Sequence, residues 1–277
     1  MKKVLLATSI LAASAGFAAA EVAVSGSARM GLISDGDTTY FSSRVRITFT
    51  ASGETDGGLS FGASVRADQS GQGGGWPNVA NDDSTVYISG AFGKLTFGDV
   101  DSAAQALVGQ VSAVGFTGLG SYNEVGYLGS SPDTSMLYEY SAGAVSFALG
   151  AGQLDTADAV SIAVKYSTDA FSVALGYEQS SDANPDDSAL SLGGSATFGA
   201  ATVKAVVIDV DSAADVDFAL SVDYVAGPTT VTAFYHDAPE IFGIGAAYDL
   251  GGGASVKGGI VTDGDDTIGD IGVVMSF

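Results

Sequence analysis

The sequence predicts an all-β fold in which antiparallel strands close into a membrane-spanning barrel. Three observations predict it: apolar residues alternate with small polar ones at a period of two, acidic loops separate these segments, and the chain ends flush on an apolar strand at Phe277. The termini of soluble domains usually fray in polar residues. A hydrophobic strand with nothing after it therefore indicates that both of its edges are paired, as closure requires.

The first twenty residues have the pattern of a secretory signal peptide. A basic Met-Lys-Lys start leads into an apolar stretch from Val4 to Phe17, and three alanines precede Glu21. The stretch is shorter than the ~20 residues that a spanning helix needs. We expect cleavage after Ala20 and a single exported domain, residues 21–277.

The composition narrows the class of protein. The chain has 10 Lys and Arg against 32 Asp and Glu, and loss of Lys2 and Lys3 leaves 8 − 32 = −24. Nucleic acid is therefore excluded as a partner. Mean hydropathy is nevertheless positive and 46% of residues are hydrophobic. Apolar strands that alternate with acidic loops would explain how one chain is both acidic and hydrophobic. Without cysteine no disulfide holds the exported chain, so the backbone ladder must supply its rigidity.

The alternation predicts sixteen strands. In the clearest one, Phe61 and Val65 share a face with Leu59, while Ser64 and Arg66 lie on the other. The predicted strands cover residues 22–33, 41–51, 58–68, 84–91, 94–99, 135–141, 144–152, 159–167, 170–179, 189–198, 201–209, 216–225, 229–236, 241–250, 254–262 and 268–277.

The faces of these strands favour a membrane barrel over a soluble sandwich. The polar face is rich in Gly, Ala and Ser, which suits a crowded or water-filled interior, and aromatic residues recur near strand ends as interfacial girdles do. Very short connections alternate with longer acidic ones, the asymmetry of periplasmic turns and external loops. The terminal strand should present Ile271, Val273, Met275 and Phe277 to lipid and pair with the first strand.

One connection, from Val100 to Thr134, is far longer than its neighbours and contains little that would form a spanning strand. A loop of this length needs a reason. Folded outward it would be a surface epitope, and folded inward it would narrow the lumen.

Four arginines lie on the polar face of the first three strands and must share one patch of inner wall: Arg29, Arg44, Arg46 and Arg66. Acids in or beside the long loop are candidate counter-charges across a constriction: Asp99, Asp101, Glu124 and Asp133. Such a transverse field orients dipolar solutes and penalises apolar ones. Alternatively, the arginines are simply solvated residues of the lumen.

The hairpin from Ile88 to Ser102 reads Ile-Ser-Gly-Ala-Phe-Gly-Lys-Leu-Thr-Phe-Gly-Asp-Val-Asp-Ser. With this hairpin, the signal peptide, the long third external loop and the terminal Phe277, the chain resembles general diffusion porins of the alphaproteobacterial, Rhodobacter-like type. The resemblance covers essentially the whole mature chain. It implies a 16-stranded barrel, a homotrimer, a third loop folded into the lumen as an eyelet, and wall arginines facing loop acids.

The resemblance also implies structural calcium among loop carboxylates, and Asp35 with Asp37 or Asp82 with Asp83 are examples of hard oxygen ligands. The same is true of Asp182, Asp186, Asp187, Asp263, Asp265 and Asp266. None of these residues is assigned as a calcium ligand. Most of them are explained by a solvated acidic rim, which can bridge anionic outer-membrane lipid such as lipopolysaccharide through divalent ions. No cofactor is required. In the family, the terminal Phe277 is also an assembly signal.

The sequence thus predicts an outer-membrane pore of a Gram-negative bacterium, non-specific or weakly cation-selective, for small hydrophilic solutes and ions. The alternative is an outer-membrane barrel with substrate-specific uptake or hydrolase activity, for which the single histidine, His236, stands beside Asp237. A soluble calcium-binding repeat protein is a third interpretation, but the Gly-Gly-x-Gly-x-Asp nonapeptide repeat is absent. We expect no enzymatic activity.

Overall fold

The computed structural model describes residues 20–71, 84–129, 134–152, 159–180, 187–263 and 266–277. These residues form sixteen antiparallel strands that close into one barrel, each strand pairing with its sequence neighbours and β1 pairing with β16. The predicted fold class and strand number are confirmed. The predicted signal peptide lies outside the described residues, apart from Ala20.

The strands are β1 (Glu21–Ser34), β2 (Thr39–Glu54), β3 (Ser60–Gly71), β4 (Ser84–Gly90), β5 (Gly93–Gly98), β6 (Ser135–Ala142), β7 (Val145–Ala151), β8 (Val160–Ser167), β9 (Phe171–Ser180), β10 (Asp187–Phe198), β11 (Ala201–Val210), β12 (Asp217–Ala226), β13 (Thr229–His236), β14 (Ile241–Gly251), β15 (Ala254–Asp263) and β16 (Asp266–Ser276). Strand β2 extends past its predicted limits at both ends. The reason is that its ladder with β1 begins at the pair Ser34 and Thr39 and its ladder with β3 continues to the pair Glu54 and Ser60, beyond the apolar alternation.

Closure of the barrel follows the predicted parity. In the β1–β16 ladder Leu32 lies opposite Ile271, Met30 opposite Val273 and Ala28 opposite Met275. Beyond the ladder, the Gly26 N–H donates to the Phe277 carbonyl at 2.7 Å, and the Phe277 N–H donates to the Gly26 carbonyl at 3.0 Å. The terminal residue is therefore hydrogen-bonded to the first strand, and Phe277 is 65% exposed on the outer face.

Large apolar side chains form the outer surface, as the alternation predicts. Ile162, Leu190 and Phe242 are about half exposed, at 53%, 51% and 46%. A surface of this kind is unstable in water and suited to the hydrocarbon region of a bilayer. Among the described residues no helix has the length and apolar character to cross a membrane.

Short turns join the strands at one end of the barrel. Strands β6 and β7 are joined by Gly143 and Ala144, and β10 and β11 by Gly199 and Ala200. Gly143 and Gly199 have φ of 62° and 63°, a left-handed conformation that tight hairpins need and that glycine adopts without steric cost. These turns lie at the end of the barrel that holds both termini, so the longer connections share the opposite end.

The long connection, loop L3 (residues 99–134), is the third on that opposite end, and it folds into the barrel. Its described part contains helix α1 (Ala103–Val108) and a 3₁₀ turn (Leu119–Ser121). Helix α1 packs on β7, β8, β9 and β10, whereas the 3₁₀ turn lies against β15 and β16. L3 therefore lies inside the barrel and runs along its inner wall. The resemblance implied this inward fold, whereas the strand alternation alone did not distinguish it from an outward one.

Candidate functional site

The four predicted arginines share one patch of inner wall. Arg29 and Arg44 are directly opposite in the β1–β2 ladder, and Arg46 lies two residues further along the same face. Arg29 extends to L3, where its Nη1 donates to the Thr117 carbonyl at 3.1 Å and its guanidinium lies 5.9 Å from the centre of the Phe116 ring. Like charges directly across a ladder repel, so this patch needs acceptors around it.

A carboxylate on strand β3 accepts hydrogen bonds from two of these arginines. Asp68 on β3 accepts from Arg46 Nε at 2.7 Å through one oxygen and from Arg66 Nε at 2.9 Å through the other. Asp68 was not among the predicted site residues, although its position two residues after Arg66 places it on the same face as the arginines. One carboxylate bound to two guanidiniums leaves the patch strongly basic.

Glycines on the inner wall make room for α1. A Cβ atom at Gly150 would lie 2.9 Å from the Ala103 nitrogen, and one at Gly176 would lie 2.6 Å from the Ala104 Cβ. Both helix alanines are fully buried. The Ser102 hydroxyl caps the helix by accepting from the Gln105 N–H at 3.1 Å. Small residues on both surfaces thus let the helix lie directly on the sheet.

The second half of L3 is held by Asp270 of β16. This carboxylate is 8% exposed and accepts from the Phe116 N–H at 3.0 Å, the Thr117 N–H at 2.8 Å and the Thr117 hydroxyl at 2.6 Å. The Phe116 ring covers Gly31 and Gly272, where a Cβ would lie 2.8 Å from ring atoms. This contact also shows that Gly272 faces the lumen, so Ile271 and Val273 face outward as predicted.

His236 is a second anchor for L3. The residue is 6% exposed, its Nδ1 lies 2.8 Å from the Tyr122 carbonyl, and its Nε2 lies 3.0 Å from both carboxylate oxygens of Asp217. Its neighbour Asp237 is not its partner, because adjacent strand residues point to opposite faces. Nδ1 holds the loop and Nε2 is bound to the neighbouring strand, and among the described residues no hydroxyl nucleophile contacts either nitrogen.

A small hydrophobic core lies inside the barrel between L3 and the wall. Val111, Val114 and Val125 of the loop are at most 3% exposed, as are Ile208 and Val261 of the wall. The alternation assigns small polar residues to the inner face, so these apolar wall residues depart from it. They do so because L3 covers them, which removes them from the water of the lumen.

The predicted loop acids occupy different places. Asp99 and Glu124 are exposed. Asp101 lines a cleft beside Glu178 against β8 and β9, half-way round the barrel from the arginines. Desolvation by burial raises the pKa of the Asp101 carboxyl, although part of the residue is exposed. Asp133 lies outside the described residues. That these acids face the arginines across the pore stays a prediction.

The rim carboxylates that are described are partly used in turns. Asp35 accepts from the Thr38 N–H at 2.8 Å, which lowers the pKa of Asp35. Asp187 accepts from the Ser212 N–H at 3.1 Å and its hydroxyl at 2.8 Å. Five predicted candidates for calcium ligands lie outside the described residues: Asp82, Asp83, Asp182, Asp186 and Asp265.

The lysines of the lumen were not among the predicted site residues. Lys165 and Lys204 line one cavity beneath L3, and Lys257 lines a second. Lys94 stands 5.1 Å from the ring centre of Tyr87 on the inner face. With the four arginines, all eight basic residues after Ala20 therefore face inward. Their positions on the small-residue face of each strand could have predicted this.

The chain was compared with known proteins. The family model described as Gram-negative porin matches residues 7–267. A porin of Rhodobacter capsulatus is 37% identical, and the match covers 93% of this chain and all of that protein. Among solved structures, a porin refined at 1.8 Å resolution superposes with a TM-score of 0.80 at 36% identity, and a triple mutant of Rhodopseudomonas blastica porin with 0.81 at 25%. Both matches cover 93% of this chain and the full length of the solved chain.

A closed 16-strand barrel, an apolar outer surface and a lumen lined by charge are the parts of a diffusion channel in an outer membrane. The matches extend over nearly the whole chain, and the 16-strand barrel superposes on a solved porin with a TM-score of 0.80. The chain therefore belongs to the Gram-negative porins, the diffusion channels of the outer membrane.

Proposed function

We propose that the pore passes small hydrophilic solutes passively, with a size limit set where L3 crosses the lumen. The observation that carries this proposal is the course of L3, which is fixed to the wall at both of its described halves by Ser161, Asp270 and His236. A loop anchored in this way narrows the pore permanently and does not act as a lid.

The proposed selectivity is weak. Acidic loops at the rims attract cations, while eight basic side chains on the wall oppose them, because charges within about 8 Å of a permeating ion act most strongly at physiological salt. The transverse field between the arginine patch and the acids of L3 belongs to the same proposal. It would favour dipolar solutes that can align with it.

Reconstitution into a planar bilayer tests the pore. Discrete, long-lived and ohmic current steps are expected, and the reversal potential in a salt gradient measures the selectivity. Correctly folded protein that produced no such steps would refute the proposal. No esterase activity is expected, and replacement His236→Ala should alter the behaviour of L3 without removing any hydrolysis.

We further propose that three copies assemble, on the support of the family and of the outer surface. A groove of about 610 Å³ between β1, β2 and β16 is lined by apolar side chains, and Phe41 beside it is 86% exposed. Cross-linking in mild detergent should yield a trimer, and Phe41→Ser should weaken it more than Phe171→Ser on β9, across the barrel from the groove. Equal effects would exclude this groove as the interface.

We also propose a structural calcium ion, for which the cleft at the start of L3 is the best supported place. Asp101, Glu178 and Ser135 line it, and Oε1 of Glu178 and Oγ of Ser135 have no hydrogen-bond partner among the described residues. Such oxygens are ligands that calcium takes. The described residues contain no cluster of three or more acidic, His or Cys side chains, so carbonyls and water would complete the shell.

Calcium is expected to raise the thermal unfolding midpoint of the parent protein and to have little effect on Glu178→Gln. An equal shift in both would point to the acidic rim instead. The rim itself is proposed to bridge lipopolysaccharide through divalent ions, which mixing with purified lipopolysaccharide in the presence and absence of a chelator tests. Sequencing the N-terminus of the exported protein tests cleavage after Ala20.

A further inference from the structure

The basic residues of the barrel are placed unevenly along its axis. All Lys and Arg residues after Ala20 lie in strands, so no connection between strands carries a base. The four lysines lie near the short turns, at the end that holds both termini, which we call the terminal end. Lys94 is the second residue of β5, and Lys204 and Lys257 are the fourth residues of β11 and β15, which all begin there. Lys165 is the third residue from the end of β8, which finishes there.

The four arginines lie at the level of L3. Arg29 donates to the Thr117 carbonyl of the loop at 3.1 Å, and Arg44 lies directly opposite Arg29 in the β1–β2 ladder. Arg46 and Arg66 lie closer than Arg44 to the turn between β2 and β3, at the terminal end. No base therefore lies between L3 and the opposite end of the barrel, which we call the loop end.

The two ends differ in the sign of their charge. At the terminal end acids are mixed with bases: Glu139 lies opposite Lys94 in the β5–β6 ladder, and Asp223 is linked to Lys204 through the Ser112 hydroxyl. At the loop end the described connections outside L3 carry carboxylates alone. They are Asp35, Asp37, Asp211, Asp215, Asp237 and Glu240.

A pore with this distribution of charge conducts unequally in its two directions. Cations carry most of the current in the uniformly negative half, whereas both ions carry it where the charge is mixed. Cations driven from the loop end therefore reach L3 faster than they leave it, and anions driven the other way stop there. Salt accumulates at L3 and the conductance rises. The opposite voltage depletes the same region and lowers the conductance.

We propose that the pore is a rectifier, which passes more current when the loop end is at the positive potential. The proposal rests on the pore function and adds a direction to it. The effect depends on salt, because the Debye length is ~30 Å at ~0.01 M and ~3 Å at ~1 M. Only at low salt do charges on the wall act across the lumen.

The test requires channels of known orientation. The chain contains no cysteine, so Ala238→Cys creates a single thiol, in the exposed loop-end connection between β13 and β14. A biotin maleimide is attached to this thiol before reconstitution. After each recording, streptavidin is added to one chamber of the planar bilayer, where it alters the current only of channels whose loop end faces that chamber.

Single channels are recorded at about 100 mV of either sign in symmetric KCl. At ~0.01 M the current with the loop end positive should be larger by a factor on the order of two, and at ~1 M the two currents should be equal, because the wall charges are then screened.

The double variant Lys165→Gln with Lys257→Gln tests the cause. It leaves the acids of the terminal end in excess, so both halves become negative and the two currents at low salt should become nearly equal. Among the described residues neither ammonium is hydrogen-bonded or ion-paired to L3, so the loop should keep its anchors. The matched control is Lys165→Arg with Lys257→Arg, which keeps both charges and should rectify like the parent protein.

Three results would overturn the proposal: equal currents at low salt in the parent protein, a larger current with the loop end negative, or the same rectification in the Gln and Arg pairs. The last result would assign the asymmetry to the shape of the pore. Folded protein that gave no current at all would refute the pore function instead, so the two failures are distinct.

Discussion

The anchoring of L3 by Asp270 can be tested by replacing one side chain. Asp270→Ala removes three hydrogen bonds and leaves the N–H groups of Phe116 and Thr117 without their acceptors. Hydrogen bonds to a charged group contribute ~1.5–3 kcal/mol each, and the site is 8% exposed, so water replaces them poorly. At the lower end of that range the three bonds amount to about 4.5 kcal/mol, or about three orders of magnitude in the local opening equilibrium.

The opening should remain local. The barrel ladder does not depend on Asp270, and L3 stays attached through Ser112 to Ser221 and through His236 to Tyr122. The segment from Val114 to Leu119 should therefore leave the wall intermittently while the thermal unfolding of the barrel changes little. In single-channel recordings we expect strongly increased open-channel noise and a lower mean current, because the freed segment moves into the lumen.

The control for this experiment is Asp266→Ala, which removes the same charge from an exposed position of the same strand. It should record as quietly as the parent protein, and Asp270→Asn, which keeps one acceptor oxygen, should fall between the two. If Asp270→Ala were as quiet as Asp266→Ala, the carboxylate would not hold the loop and the reasoning would be wrong.

Three further predictions concern the wall, the arginine patch and the terminus. Gly176→Val places side-chain atoms where Ala104 packs at 2.6 Å, so α1 should be displaced and the step conductance should change, whereas Gly194→Val, whose Cβ meets only the Ser172 carbonyl at 3.1 Å, should conduct normally. Replacing Arg44 and Arg46 by Gln should shift the reversal potential toward cations, and an unchanged potential would show that the patch lies outside the ion path. Deleting Phe277 removes both bonds to Gly26, so the yield of inserted barrel should fall while inserted molecules conduct normally; a normal yield would contradict this role.

The barrel could be predicted from the sequence because each strand is recognised from residues that are close together in the chain. A strand buried on one side repeats every two residues, and the hydrocarbon of a membrane demands apolar residues on the outward face of every strand. That Met30 and Val273 share the outer face followed from parity, and the structure places them opposite each other. The arginine patch followed in the same way, because Arg29 and Arg44 occupy the polar face of neighbouring strands.

The course of L3 could not be read in this way. Three of its anchors come from β12, β13 and β16: Ser221, His236 and Asp270 each lie more than 100 residues along the chain from the loop residue that they hold. Nothing in the local pattern distinguishes Asp270 from an ordinary rim carboxylate. Val206 and Ile208 likewise break the inner-face rule only because L3 covers them.

The sequence by itself determined the barrel, its membrane-facing surface and the inward direction of its basic residues, since each depends on residue type and a period of two. Only the tertiary structure decided which inward residues meet. Asp68 binds two arginines, and Asp270 holds Phe116 and Thr117, because strand register and the path of L3 bring together groups that lie far apart in the chain. The constriction of the pore is a product of those distant contacts.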